Sequence, residues 1–85
     1  MQTKGYEDFI EIDGKLFFQQ FAIKKSNENY LVYFYMVPED KLDQAEDYEI
    51  EELNKFNKIE LALDFMKTKG ADLSKFGVFR GNKPI

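Results

Sequence analysis

The chain of 85 residues contains no cysteine and no histidine. Without thiols it has no disulfide staple, no thiolate nucleophile, no zinc ribbon and no iron–sulfur ligand set. Nothing in it exploits an oxidising compartment, so a cytoplasmic protein is expected. Without imidazole it also lacks the commonest general base and the commonest transition-metal ligand. No apolar run approaches the ~18–20 residues of a membrane span, and no charged leader runs into an apolar segment. The five glycines stand apart, at Gly5, Gly14, Gly70, Gly77 and Gly81, so no phosphate-cradling loop is present. Arginine is nearly absent too, one against eleven lysines. With many Asn, Ile, Phe and Tyr, this is the composition that AT-rich codons leave in low-GC bacteria, their phages and other mobile elements.

What the chain does have is aromatic bulk and a concentrated acidic segment. Eighty-five residues make one domain. A chain of that size buries about 60–65% of its unfolded surface, so its core is thin. Nine Phe and five Tyr thicken it, since each ring buries a large area. The acid is local. Residues 39–52 hold Glu39, Asp40, Asp43, Glu46, Asp47, Glu49, Glu51 and Glu52 against Lys41 alone, a net charge of −7. Residues 1–38 carry −1 and residues 53–85 carry +4. A block of one sign makes a field, and a field chooses partners and raises association rates.

Along the chain, Met1–Gly5 reads as a frayed start. Glu7–Asp13 alternates, with Ile10 and Ile12 on one face and Phe9 and Glu11 on the other, and predicts a half-buried strand. Asp13-Gly14 is a hairpin signal. Lys15–Lys24 is the second strand, Lys25–Asn29 a polar turn, and Tyr30–Val37 a third strand, apolar throughout. Pro38 stops it. Residues 38–46 form a loop or a short helix. Tyr48–Leu53 reads as a fourth strand, with Tyr48 and Ile50 inward and Glu49 and Glu51 outward. Asn57 and Glu60 have capping-box spacing, and Phe56 and Leu61 can staple the start of a helix. Lys58–Lys69 is that helix. Its apolar face is Ile59, Ala62, Leu63 and Met66, widened by Leu61 and Phe65, and Gly70 ends it. Phe76–Arg80 is a short edge strand. Gly81–Ile85 is a polar tail with a turn at Gly81-Asn82-Lys83-Pro84. The expected fold is α+β: an antiparallel meander of three to four strands packed on one C-terminal helix, with a short final edge strand.

Function is read from the acid. No catalytic constellation is present: the hydroxyls Thr3, Ser26, Thr68 and Ser74 sit in no nucleophile motif, and no catalytic residue is assigned. The calcium-loop spacing is missing, so no metal and no cofactor is expected. The acidic segment suits a non-catalytic protein-binding module, with Glu39, Asp40, Asp43, Glu46, Asp47, Glu49 and Glu51 as charges and the interleaved Tyr48 and Ile50 as an apolar anchor. Its partner would be another protein with a basic surface. An inhibitor of a nucleic-acid-handling protein fits, because carboxylates can stand in for backbone phosphates. Solvation and protection of a sheet edge is the plainer use of such charge. A second reading starts from Tyr33 and Tyr35, which share a face of strand three. Aromatic sheets can stack single-stranded bases, but a net acidic chain disfavours nucleic acid. A third is a structural subunit that self-associates. One helix covers one sheet face, so the Tyr33/Tyr35 face needs segment 38–47, the C-terminal tail or a second copy as its cover.

Overall fold

A computed structural model describes residues 3–79 and 84–85; of Ala45 and Glu46 it describes the backbone alone. The fold is α+β, an antiparallel five-stranded sheet with one helix packed after it. Strands β1 (Lys4–Ile12), β2 (Lys15–Ser26) and β3 (Asn29–Pro38) form a meander. Asp13 and Gly14 both take positive φ, 51° and 78°, the turn whose twist matches the strands it joins. Asn27 (φ 57°) makes the second hairpin, an angle Asn tolerates better than most residues. A 3₁₀ turn (Glu39–Gln44) and the short α1 (Ala45–Tyr48) then lead to β4 (Ile50–Phe56) on β3. Helix α2 (Ile59–Thr68) follows, and after a second 3₁₀ turn (Leu73–Lys75) β5 (Gly77–Val78) closes on β1. The strand order is β4-β3-β2-β1-β5.

The register sorts the core into two faces. On the helix face Ile23 and Val32 are buried against Ala62 and Met66, and Ile59, Leu63, Phe65, Leu73 and Phe76 pack around them. Phe21 is fully buried there, with ring centroids 5.3 Å from Tyr6 and 5.2 Å from Phe34. Lys69 lies over Phe34 and Phe65 and pairs with Glu52 at 2.8 Å, so a half-buried ion pair seals this face at its rim. On the opposite face Ala22 and Tyr33 are buried with Phe79, and Tyr35 and Ile85 pack beside them.

The structure differs from the sequence reading at several ends. β1 starts at Lys4, because Lys4 and Gly5 pair with Ile23 and Ala22 on one side and Val78 and Gly77 on the other. Thr3 is buried, and its hydroxyl donates to the Ile85 carbonyl at 2.9 Å, so neither residues 3–5 nor Ile85 is loose. β4 begins at Ile50 and runs to Phe56, held by pairing with β3 as far as Tyr30. That leaves Tyr48 in α1, 47% exposed, and not inward on a strand. Ile50 is 51% exposed, beyond the reach of α2. The capping box does not form. Lys58 occupies the cap position with extended backbone and no side-chain bond, because β4 runs to Phe56 and the helix opens only at Ile59, one residue later than a cap at Asn57 requires. Leu61 is exposed, and Phe56 packs instead on Phe65, at 5.5 Å between ring centroids. Gly70 ends the helix region in the left-handed conformation (φ 89°), as its position predicts. Arg80 and the Gly81–Lys83 part of the tail turn lie outside the described residues.

Candidate acidic interface

The acidic segment is built by the crossing from β3 to β4. Pro38 pairs with Phe17 and ends β3, and Ile50 opens β4 opposite Met36. The eleven intervening positions must turn at the end of the sheet, and they lie against β2 and β3 there. They cannot run as one helix. Lys41 breaks the 3₁₀ turn (φ −118°, ψ 15°), and carboxylates crowded on one helical surface repel. The Lys41 ammonium instead folds back over the Tyr48 ring, 5.0 Å from its centroid, and ties the two ends of the crossing together.

Of the residues expected to meet a partner, Glu39, Asp40, Asp43, Asp47 and Glu51 are exposed and Glu49 is half-buried. The side chain of Glu46 lies outside the described residues. The structure adds an apolar component that the sequence reading missed. Leu42 is 46% exposed, and with exposed Tyr48 and Ile50 it makes three exposed large apolar side chains in this acidic stretch of chain. Its signal was available: it is the one branched aliphatic residue between Pro38 and Tyr48.

The register also sets where this lobe sits on the molecule. At about 3.3 Å per residue, twelve-residue β2 accounts for most of the longest dimension, 38 Å. The acidic crossing lies at the same end as the Asp13-Gly14 hairpin, with Glu11 nearby in β1. Lys24, Lys25, Lys55 and Lys58 cluster toward the other end, around the pairing of Lys25, Tyr30 and Phe56. Lys15, beside the hairpin, shares the acidic end, so the separation is between the crossing and these four lysines.

Two of the carboxylates are not free. The Tyr33 hydroxyl donates to Glu51 Oε2 at 2.6 Å, and the Tyr35 hydroxyl donates to Glu49 Oε2 at 2.9 Å. The two rings lie parallel, 6.4 Å apart and 5° from coplanar orientation. Burial, the carboxylate hydrogen bond and the nearby negative charges all disfavour a phenolate. They push Tyr35 up to about 12 and Tyr33 further still. Both phenols therefore stay protonated at neutral pH and act as donors that aim Glu49 and Glu51.

Tyr33, singled out together with Tyr35 as a self-association surface, is only 9% exposed. The cover comes from the chain's own C-terminal segment. Phe79 lies on Ala22 and Tyr33, its N–H bonded to the Thr3 carbonyl at 2.9 Å, and Ile85 packs beside them. Tyr35 is half-buried at the edge of the same cluster. Among the described residues, no three acidic side chains converge as a metal site would need, and no helix is long and apolar enough to cross a membrane.

No family model matches the chain, and neither a curated protein nor a solved structure shows significant similarity to it.

Proposed function

We propose that the chain is a non-catalytic protein-binding module whose acidic crossing, residues 39–52, docks on a basic surface of a nucleic-acid-handling protein in the cytoplasm and inhibits it. The observation that carries this reading is the makeup of the crossing. It carries exposed carboxylates and three exposed apolar side chains, Leu42, Tyr48 and Ile50, at the end of the molecule away from Lys24, Lys25, Lys55 and Lys58. Charge steers the encounter, and apolar anchors among the charges supply the affinity that exposed ion pairs alone do not. The bonds from Tyr33 and Tyr35 hold Glu49 and Glu51 in fixed positions, which lowers the entropy cost of docking.

The reading of the aromatic face as a base-stacking platform loses support from the same geometry. Tyr33 lies under Phe79 with its hydroxyl engaged, and the carboxylates beside it repel a phosphate backbone.

The test is a pull-down from host lysate at low and high salt, followed by binding kinetics with the protein captured. Association should slow steeply as salt rises. Changing Asp43, Glu46, Asp47 and Glu49 to Lys should abolish binding and leave the circular dichroism spectrum unchanged. Equal binding by that variant would overturn the proposal.

A further inference from the structure

The sheet has two open edges, and they differ in the pattern of their side chains. The outer edge of β1 beyond Gly5, from Tyr6 to Ile12, has no strand beside it among the described residues. It carries Glu7, Asp8 and Glu11 and no base. Pairing two copies there about Phe9 would set Glu7 against Glu11, which like charge forbids. The outer edge of β4 is also unpaired among the described residues. Its sequence, Ile50-Glu51-Glu52-Leu53-Asn54-Lys55-Phe56, is complementary to its own reverse.

We propose that two copies of this chain pair edge to edge through β4, antiparallel about a two-fold axis at Leu53, and join their five-stranded sheets into one continuous sheet. The two-fold sets each residue opposite its mirror position on the same face. Leu53 meets Leu53 of the second copy, so the most exposed large apolar side chain among the described residues, at 59%, becomes covered. Glu51 meets Lys55 of the second copy, and Lys55 meets its Glu51, giving two opposite-charge pairs on one face. On the other face, exposed Ile50 meets Phe56 of the second copy, and Asn54 offers an amide donor to the Glu52 of the second copy.

Among axes at the four central residues, this register satisfies the edge best. Side chains keep their faces across a two-fold perpendicular to the sheet, so the axis must pass through a residue. An axis at Glu52 sets two carboxylates together, and one at Glu51 does the same. An axis at Asn54 sets Leu53 against Lys55 and Glu52 against Phe56, with no charge pair. Charged edges ordinarily keep strands apart; here the signs alternate so that the symmetric arrangement attracts. The surface is distinct from the acidic crossing apart from Ile50, Glu51 and Glu52, and it requires no other protein.

The test is a charge swap read by sedimentation equilibrium. The parent chain should approach twice the 10.1 kDa of one copy as its concentration rises toward millimolar. Glu51→Lys and Lys55→Glu, each alone, turn both pairs repulsive and should raise the dissociation constant at least ~10-fold. Mixing the two single variants regenerates both pairs and should restore a dimer of one copy of each, and the double swap should restore the homodimer. Leu53→Lys places two ammoniums on the axis at an exposed position and gives the same answer if loss of the Tyr33 bond unfolds Glu51→Lys. A parent that stays at 10.1 kDa up to millimolar concentration would overturn the proposal. So would single variants that dimerise as the parent does, or folded single variants that do not pair when mixed.

Discussion

The two faces of the sheet are covered by different means. The helix face is closed by α2, which brings Ala62 and Met66 onto Ile23 and Val32 and buries them. The other face is closed by the end of the chain, which brings Phe79 and Ile85 onto Ala22 and Tyr33, and it ends in carboxylates. A helix is a regular object with its own apolar stripe, so it covers a face whatever the details of the sheet. A terminal segment has no stripe. It stays only where a prepared surface and specific hydrogen bonds hold it, here through Thr3 to Ile85 and Phe79 to Thr3. The helix face therefore carries the stability. The tail face carries polar geometry, and the acidic crossing draws two of its fixed charges from it.

The sharpest break in this contrast comes from truncating each face in turn. Phe21→Ala removes a fully buried ring locked between Tyr6 and Phe34, and should cost ~3–5 kcal/mol in urea unfolding. Phe79→Ala should cost less, about 2 kcal/mol, because the end segment can detach while the sheet and helix persist. Amide exchange separates the cases. Phe21→Ala should speed exchange throughout the sheet, whereas Phe79→Ala should release Thr3, β5 and the tail first. If Phe79→Ala destabilises as much as Phe21→Ala, the two faces form a single cooperative unit and the contrast fails.

How much of this was legible follows the same division. Asp13-Gly14, the Ile59/Ala62/Leu63/Met66 stripe and the alternation that puts Tyr33 and Tyr35 opposite Phe34 are local patterns, and each is realised. The acidic block could be read directly, since charge needs no partner to be seen. The tail could not be read as a lid. The Thr3–Ile85 bond spans 82 positions, and the slot for Phe79 exists only after β1, β2 and β3 are assembled. The same limit explains β4. Residues 54–56 look like the approach to a helix, but pairing with Leu31, Tyr30 and Val32 overrides that local preference. The apolar side chains of the candidate interface were partly legible: Tyr48 and Ile50 stood out among the acids, while Leu42 needed a structure to show it outward.

The tail face can also be probed without removing atoms from its core. Tyr33 and Tyr35 lie above their ordinary value near 10 in the folded state, through burial and their bonds to Glu51 and Glu49. Above pH 10 the unfolded chain sheds these protons while the folded chain keeps them, so the folded state holds more protons. Their contribution is whole below pH 10 and is lost as pH rises from about 10 toward 12 for Tyr35, and further for Tyr33. Urea midpoints measured across that range should fall. The slope should be shallower in Tyr33→Phe and Tyr35→Phe, which compare the same chain with and without each phenol. An unchanged slope in both variants would mean that the carboxylates do not hold these hydroxyls.

The smallest effect expected is at the start of α2, and it tests what holds the helix to its face. Asn57 and Glu60 have the spacing of a capping box, and a working cap at Asn57 would be worth about 1 kcal/mol on substitution by Ala. The structure gives the cap position to Lys58, with no side-chain bond, and leaves Asn57 exposed between β4 and the helix. A helix of ten residues is marginal by itself, so its stability must come from the stripe that buries Ala62 and Met66. Asn57→Ala should therefore change stability by less than ~0.5 kcal/mol. Asn57→Asp should do no more, although it adds a carboxylate near the positive end of the helix. A loss of ~1 kcal/mol or more in Asn57→Ala would show that the cap forms in solution, and that α2 begins a residue earlier and depends less on the sheet beneath it.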